Sequence, residues 1–332
     1  MSVTVMPMII SRTKARLGIS ACILTLFGAT SLLAREAPAT PGEGSANAPV
    51  AAAATSPQAP VAVKPVPATP GLWKIADDDT TIYLFGTIHI LPEATDWYSG
   101  PVAKAFNSSK LLVTEAIIDS PADLQKEFLT KAVRTDGKTL REALPEKERS
   151  AYEKAMTDLG VPVNAFDRFE PWYAALLLSS LPMQKAGYKS ENGVESQIEA
   201  LAKEHGLARE ALETAAYQID LFDSLPADAQ ENYLGEVLDQ LPTMRDDLAR
   251  LIAAWKAGRA EELAEILNAG ETDKRVRQVL LTNRNAAWAK WLKARLDEPG
   301  TVFVAVGAGH LAGEDSVQEQ LAAQGVPSTR LQ

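Results

Sequence analysis

The chain has 332 residues, of which 46% are hydrophobic and 23% charged, a balance that is typical of soluble globular proteins. Its formal net charge of −10 argues against nucleic acid or an anionic lipid surface as a general partner, because both bind basic surfaces. The only cysteine is Cys22, so an intramolecular disulfide is excluded and a folded domain must be held together by its core.

The N-terminus has the composition of an export signal. Residues 1–16 contain three basic and no acidic residues, and an apolar stretch follows from Leu17 to Ala34. This order is typical of a secretory signal peptide, although the apolar stretch is also near the lower length limit for a membrane span. Residues 1–35 are therefore predicted to be a signal peptide or an inner-membrane anchor. In both cases the rest of the chain is expected to be periplasmic or to face the periplasm.

Residues 36–70 have the composition of a tether. They are rich in alanine and proline and nearly lack large apolar side chains, so they cannot bury a core. We expect a disordered or polyproline-like linker, followed by a folded domain at residues 71–332.

The folded domain is predicted to begin with two strands. The apolar segments Leu72–Ile75 and Thr81–His89 are separated by Asp77–Asp79, which predicts a hairpin with a polar turn. A calcium site at the three aspartates is the alternative to that turn. A third apolar strand is expected at residues 110–115, where it ends at Glu115.

A long helical segment is predicted between residues 121 and 296. Apolar residues recur there at helical spacing, with charged residues on the other faces. His205 is interpreted as structural, because a cationic residue followed by glycine suits a helix end. One helix, Tyr173–Met183, is almost entirely apolar but too short to span a membrane, so we expect it in the core. The other predicted helices are 121–133, 140–159, 196–205, 215–225, 227–240, 243–257, 260–268, 273–296 and 314–324.

Two Gly-x-x-His motifs, Gly86–His89 and Gly307–His310, follow apolar strands near opposite ends of the domain. If these strands are parallel members of one sheet, both histidines lie at the edge where α/β sheets bind ligands. Because Glu115 ends the third strand, His89, Glu115 and His310 form a candidate ligand set for a divalent cation. Either motif alone would equally suit an ordinary loop histidine.

Strands at both ends with helices between them indicate one domain, because the flanking strands need each other to form a sheet. The predicted fold class is α/β (α+β). It has a mixed central sheet, the Gly-x-x-His motifs at carboxyl ends of strands, and a large helical insert subdomain at about residues 121–296.

With these motifs the chain resembles the TraB/PrgY/GumN family, which includes the TIKI metalloproteases. The resemblance covers roughly residues 72–331. It implies a fold related to erythromycin esterase and ChaN-like proteins, a divalent metal (manganese, cobalt or zinc) at the Gly-x-x-His pair and, as in the TIKI members, peptide-bond cleavage. The blocks that carry it are Leu72–Lys74, Leu84–Pro92, Val113–Glu115, Asp167–Trp172, Gly193–Glu195, Leu212–Thr214, Phe222–Pro226, Arg284–Asn285 and Val304–Leu311.

Two segments depart from the family pattern. Residues 206–211 favour a helix where relatives have a β-rich segment, which brings one central strand of the sheet into question. Thr282 and Asn283 stand before Arg284 in place of the usual glutamate, which weakens any role transferred to that position.

The leading hypothesis is a metal-dependent hydrolase with a peptide or protein substrate. His89, Glu115 and His310 would hold one cation and leave a position for water, whose pKa the metal lowers. Glu195 is the candidate general base or a further ligand, and Arg284 is the candidate for binding an oxyanion or a substrate carboxylate. The structural alternatives are a helix-start carboxylate for Glu195 and a surface ion pair for Arg284.

Two other functions fit the same sequence. One is a binding protein that sequesters a peptide signal without cutting it. The other is an accessory factor in envelope polysaccharide production, as the GumN name suggests. Turnover of a peptide library by the metal-loaded protein would separate the hydrolase from both.

Overall fold

A computed structural model describes residues 66–92, 95–268 and 273–332. The predicted signal peptide or anchor lies outside the described residues, as does most of the predicted tether. Among the residues that are described, no helix combines the length and apolar character that a membrane span requires. The end of the predicted tether is packed onto the domain, because Ala68 is buried and its N–H donates to Asp96 O at 2.8 Å.

The centre of the domain is a mixed sheet, as predicted, and it has six strands among the described residues. The strands are β1 Val66–Pro67, β2 Leu72–Ala76, β3 Thr80–Thr87, β4 Thr95–Asp96, β5 Leu111–Thr114, β6 Ala208–Ala211, β7 Gly300–Gly307 and β8 Thr329–Arg330. The order in the main sheet is β6-β5-β7-β3-β2-β8, and β1 pairs separately with β4. The first four strands in that order are parallel, whereas β2 is antiparallel to both β3 and β8.

β3 and β7 are parallel neighbours in the middle of the sheet. Their pairing runs from Thr80 opposite Gly300 to Thr87 opposite Gly307, so both Gly-x-x-His motifs leave the sheet at the same edge. The prediction that these strands are adjacent is confirmed, although the whole helical insert separates them in sequence. Parallel strands of this kind have both faces covered, which is why they read as continuous apolar segments.

Alternate residues of β7 belong to two separate cores. Val302, Val304 and Val306 pack in the smaller core, with residues of the C-terminal helices. Phe303 and Ala305 join the larger core, which holds most of the helical insert. Because side chains cover both faces of the sheet, the ends of the strands are where a ligand can approach.

The turn between β2 and β3 is built by an aspartate. Oδ1 of Asp77 accepts from the backbone N–H of Thr80 at 2.8 Å and of Asp79 at 3.2 Å. Short polar side chains that bind backbone two or three residues ahead are typical of turns. The predicted hairpin with a polar turn is confirmed.

The segment before Leu212 corrects the sequence analysis. Residues 206–211 favour a helix, but Ala208–Ala211 form β6 at the edge of the sheet, parallel to β5. Lys110 O accepts from Ala208 N, and Thr114 O accepts from Leu212 N. Most of β6 is exposed, so its sequence lacks the apolar signature of the buried strands. Pairing with β5 therefore outweighs local propensity.

Helix α1, Gly100–Ser108, was not predicted from the sequence, whereas the other helices follow the predicted helical segments with small shifts at their ends. The predicted helix 140–159 is divided at Pro145, whose fixed φ and missing N–H suit a helix start. A π-helical turn, Gln278–Thr282, interrupts the predicted helix 273–296. The bounds are α1 Gly100–Ser108, α2 Pro121–Ala132, α3 Leu140–Ala143, α4 Glu146–Asp158, α5 Pro171–Lys185, α6 Val194–His205, α7 Ala215–Asp223, α8 Ala227–Gln240, α9 Met244–Lys256, α10 Ala260–Asn268, α11 Lys274–Arg277, α12 Asn283–Arg295 and α13 Val317–Ala323.

α5 is the buried core helix that the sequence predicts. Most of its side chains are buried, and the ring of Trp172 stacks on Phe222 and meets Phe128 edge-on. His205 lies in the last turn of α6, which ends at Gly206 with a left-handed φ of 67°. The imidazole of His205 packs edge-on against Phe106, consistent with its structural interpretation.

Candidate functional site

A cavity of about 120 Å³ lies at the carboxyl ends of the parallel strands. His89, Glu115 and Glu195 line it, so three of the five residues singled out from the sequence meet at one place. Arg284 and His310 are not in its wall. Both are buried and contact Glu115.

The start of α6 places Glu195 at the cavity. Val194 N donates to Ile88 O at 3.0 Å, which ties the helix to the first Gly-x-x-His motif. Gly193 packs so closely against this motif that a Cβ would lie 2.2 Å from the carbonyl oxygen of His89. Only glycine allows that approach. As a result, Oε1 of Glu195 lies 2.9 Å from Nδ1 of His89.

The carboxylate of Glu195 is buried without a hydrogen-bond donor aimed at either oxygen, as far as the described residues extend. The close approach of the His89 ring is an electrostatic contact that lacks hydrogen-bond alignment. Leaving a buried acceptor unsatisfied costs about 1–3 kcal/mol, and more for a charged group. An acidic group in this situation is suited to a cation, a water molecule or a proton in transfer.

Arg284 lies at the centre of a buried network and is 2% exposed. Its Nε donates to Glu213 Oε1 at 2.9 Å, and its Nη2 donates to Glu213 Oε2 at 2.8 Å and to Glu115 Oε2 at 2.7 Å. Its Nη1 lies 3.1 Å from both Leu280 O and His310 Nε2. All five guanidinium N–H groups thus have an acceptor. The surface ion-pair interpretation of Arg284 is wrong, and in this arrangement no N–H remains for a substrate.

These contacts assign the proton of His310. An arginine only donates, so Nε2 of His310 accepts from Arg284. Nδ1 lies 2.6 Å from Oδ1 of Asn285, whose Nδ2 donates to Asp315 O, so Nδ1 carries the proton. Burial, and then the charge of Arg284, lowers the pKa of His310 to about 3. The ring is therefore neutral at neutral pH.

Glu115 connects this network to the cavity. Its Oε1 accepts from the N–H of Gly307 at 2.7 Å, and its Oε2 accepts from Arg284 and Gln218. Burial would raise the pKa of the Glu115 carboxyl, but the charge of Arg284, with smaller contributions from His310 and the Gly307 N–H, lowers it to about 2. Glu115 is therefore ionised at neutral pH.

Comparison with known proteins places the site within a recognised family. Residues 71–330 match the model of the TraB/PrgY/gumN family. The chain belongs to this family. It is 26% identical over 239 residues to the uncharacterized protein YbaP of Escherichia coli strain K12, an alignment that covers 72% of this chain and 87% of YbaP. An uncharacterized protein of Treponema pallidum is 23% identical over 265 residues, which covers 74% of this chain and 78% of that protein. No solved structure gives a significant match.

Two network residues of this TraB/PrgY/gumN domain were not identified as site residues from the sequence. Glu213 accepts from Arg284, from Trp288 Nε1 at 2.9 Å and from Gln218 Nε2 at 3.1 Å. Asn285 fixes the tautomer of His310. Both stand in blocks that carry the family resemblance, which is the signal that could have found them. Neither has a pattern of its own in a single sequence.

The π-helical turn before α12 orients Arg284 and Asn285. Such a turn inserts one extra residue, which rotates the following side chains by about 100° relative to an uninterrupted helix. Leu280, within the turn, supplies the carbonyl that accepts from Arg284 Nη1. The hydroxyl of Thr282 donates a hydrogen bond to the carboxylate of Asp315, and neither Thr282 nor Asn283 lines the cavity. We therefore assign no site role to these two residues, which stand where relatives have glutamate.

The net charge of this cluster of side chains favours a divalent cation, but some of the predicted ligand atoms are already occupied by hydrogen bonds. Glu115, Glu195 and Glu213 with the single guanidinium of Arg284 give the cluster a formal charge of −2. However, Arg284 is paired with two of the three predicted ligands, Glu115 and His310. In the part of the chain that is described, no three acidic, histidine or cysteine side chains converge as a ready ligand group.

Proposed function

We propose that this protein is an exported, divalent-metal-dependent hydrolase that acts on peptides. The observation that carries the proposal is the buried carboxylate of Glu195, which lies beside His89 without an aligned hydrogen bond from a described residue, in a cavity at the ends of parallel strands. The family adds support, because its TIKI members are metalloproteases. The N-terminal composition supports export.

His89, Glu115 and His310 would hold the metal, and the net negative charge of the cluster favours a cation there. When bound, the metal would supply Lewis acidity and an acidified water. Glu195 acts as the general base, because neither of its oxygens makes an aligned hydrogen bond with a described residue, which leaves lone pairs to take a proton from a water molecule.

Thr87 supplies the hydrogen-bond donor that Arg284 cannot. Thr87 lines the same cavity, and its hydroxyl is buried and has no hydrogen-bond partner among the described residues. A hydroxyl in this position can donate to the oxygen of a substrate carbonyl as negative charge develops on it. The backbone pairing of β3 with β7 holds Thr87 in place.

The hydrolase is tested with metal-free protein reloaded with manganese, cobalt or zinc and incubated with a peptide library, whose products are read by mass spectrometry. We expect metal-dependent cleavage that falls by about 100-fold or more in Glu195→Gln. The variant should stay folded, because glutamine keeps the size of the side chain and no aligned hydrogen bond to a described residue is lost. His205→Ala is the control and should retain activity. If the protein binds peptides but cleaves none of them with any of the three metals, it is instead a sequestering protein.

Export is tested by fractionating the native host. The protein should be recovered from the periplasm or from the outer face of the inner membrane. Full-length protein in the cytosol would contradict this part of the proposal.

A further inference from the structure

The guanidinium of Arg284 lies where a cation would contact two of the predicted ligands. Its nitrogens are 2.7 Å from Glu115 Oε2 and 3.1 Å from His310 Nε2. Nε2 is the only unprotonated nitrogen of His310, so it is the atom through which this ring would bind a metal. One lone pair cannot serve an arginine N–H and a metal ion at the same time.

We propose that Arg284 competes with the divalent cation for Glu115 and His310, so that these residues bind metal only when the Arg284 side chain withdraws. This inference rests on the proposed metal-dependent function. Its physical basis is that Arg284 already supplies a positive charge and hydrogen bonds to the same atoms. A second cation there would meet electrostatic repulsion as well as occupied lone pairs.

Glu213 is the positioning residue that keeps Arg284 in this place. Its carboxylate binds Nε and Nη2 of Arg284 together, in a fork geometry that favours arginine. Trp288 donates to the same carboxylate at 2.9 Å, and its ring lies under the guanidinium at 4.8 Å. Arg284 therefore has an anchor that does not depend on the predicted ligands, and this anchor sets how readily it withdraws.

His310 is already prepared for the exchange. Oδ1 of Asn285 accepts a hydrogen bond from Nδ1–H of His310. The Asn285 amide is oriented by its own hydrogen bond to Asp315 O. Residues that bind the second nitrogen of a metal-ligating histidine orient it in the same way. When Arg284 withdraws, Nε2 presents its lone pair without a change of tautomer.

A charge-balanced pair of substitutions tests the competition. Arg284→Met combined with Glu213→Gln removes one positive and one negative charge, so the formal charge of the cluster stays the same. Wild type and variant are stripped with chelator and titrated with zinc or manganese by calorimetry. We expect one site in each and an affinity about tenfold or more higher in the variant, a change of the size that residues around metal ligands produce.

The matched control is Arg295→Met with Glu298→Gln, which removes an ion pair at the C-terminal end of α12 whose glutamate is largely exposed. Its affinity should equal that of wild type. If wild type binds metal and the folded Arg284→Met/Glu213→Gln variant binds no tighter, the competition is overturned while the metal-dependent function stands. If no protein binds metal, the proposed function fails as well.

A measurement on wild-type protein covers the case in which the double variant does not fold. The chain contains three histidines, so ¹⁵N-histidine spectra are simple, and the His205→Ala variant assigns one of them. Metal-free protein should show His310 as the neutral Nδ1–H tautomer. At saturating zinc, the Nε2 resonance of His310 should shift to that of a metal-bound nitrogen. A shift of His89 with an unchanged His310 would overturn the inference.

Discussion

At the scale of single residues, the cavity joins groups that are saturated with hydrogen bonds to groups that are not. Arg284 uses all five of its N–H groups in buried hydrogen bonds, and Glu213 uses both of its carboxylate oxygens. The carboxylate oxygens of Glu195 and the hydroxyl of Thr87 are buried but make no aligned hydrogen bond with a described residue, and both residues line the cavity. Unsatisfied buried polar groups are rare in folded proteins and concentrate where function needs them. Glu195 and Thr87 are therefore the groups that we expect to meet substrate or water.

Thr87→Val tests the role of the free hydroxyl. Valine matches threonine in shape, and the hydroxyl has no described partner to lose, so the free energy of unfolding should change by less than about 1 kcal/mol. The turnover number should fall by about 10- to 100-fold, because a donor to the developing oxyanion is lost. Chemical denaturation and peptide turnover measure the two effects.

Thr114→Val is the matched control, since Thr114 also lines the cavity but its hydroxyl already donates to Ala116 O at 3.1 Å. It should affect stability more than turnover. Equal turnover in wild type and Thr87→Val would exclude the Thr87 hydroxyl from the reaction.

At the scale of secondary-structure elements, the site depends on how α6 meets β3. The N–H of Val194 binds Ile88 O, and Gly193 lies against the carbonyl of His89. The loop after β3 and the start of α6 are thus in backbone contact, and Glu195 faces His89 as a consequence. A side chain at residue 193 would separate the two elements.

Gly193→Ala tests this contact. The added Cβ would lie 2.2 Å from a backbone oxygen, which cannot move aside as a flexible side chain could. We expect a loss of about 1–3 kcal/mol in the free energy of unfolding, typical of overpacking, together with a loss of turnover. Thermal unfolding and peptide cleavage are the measurements.

Gly235→Ala is the control for this substitution. Gly235 lies within α8, and a Cβ added there would meet open space, so alanine should stabilise the protein by about 0.5–1 kcal/mol through helix propensity. If Gly193→Ala were as stable and as active as wild type, α6 would not depend on this close approach.

Local patterns predicted those elements whose side chains are buried in a regular way. β3, β5 and β7 are mostly apolar, and a glycine or a glutamate lies within one residue of the end of each, so the strands and their ligand-type residues could be read directly. β6 could not, because an exposed edge strand needs only backbone pairing from its neighbour. The Arg284 network could not be predicted either, since its contacts join residues from four distant segments and a π-helical turn that leaves no mark in a single sequence.

At the scale of the whole molecule, the sheet brings the beginning and the end of the domain together. β3 precedes the helical insert and β7 follows it, yet they pair along their full length. His89 and His310 therefore leave the same edge from strands at opposite ends of the fold. An ion held by both histidines would link these two parts of the chain and would bind only after they have come together.

Metal binding should consequently raise the melting temperature of the wild-type protein. A ligand that binds only the folded state at 100 times its dissociation constant stabilises it by about 2.7 kcal/mol. His89→Ala and His310→Ala should each abolish most of this rise, because each removes a proposed ligand. His205→Ala should leave it intact, since His205 packs against Phe106 away from the cavity. Scanning calorimetry with and without manganese, cobalt or zinc provides the test. A rise of equal size in wild type, His89→Ala and His310→Ala would show that the metal binds elsewhere and that both Gly-x-x-His motifs are structural turns.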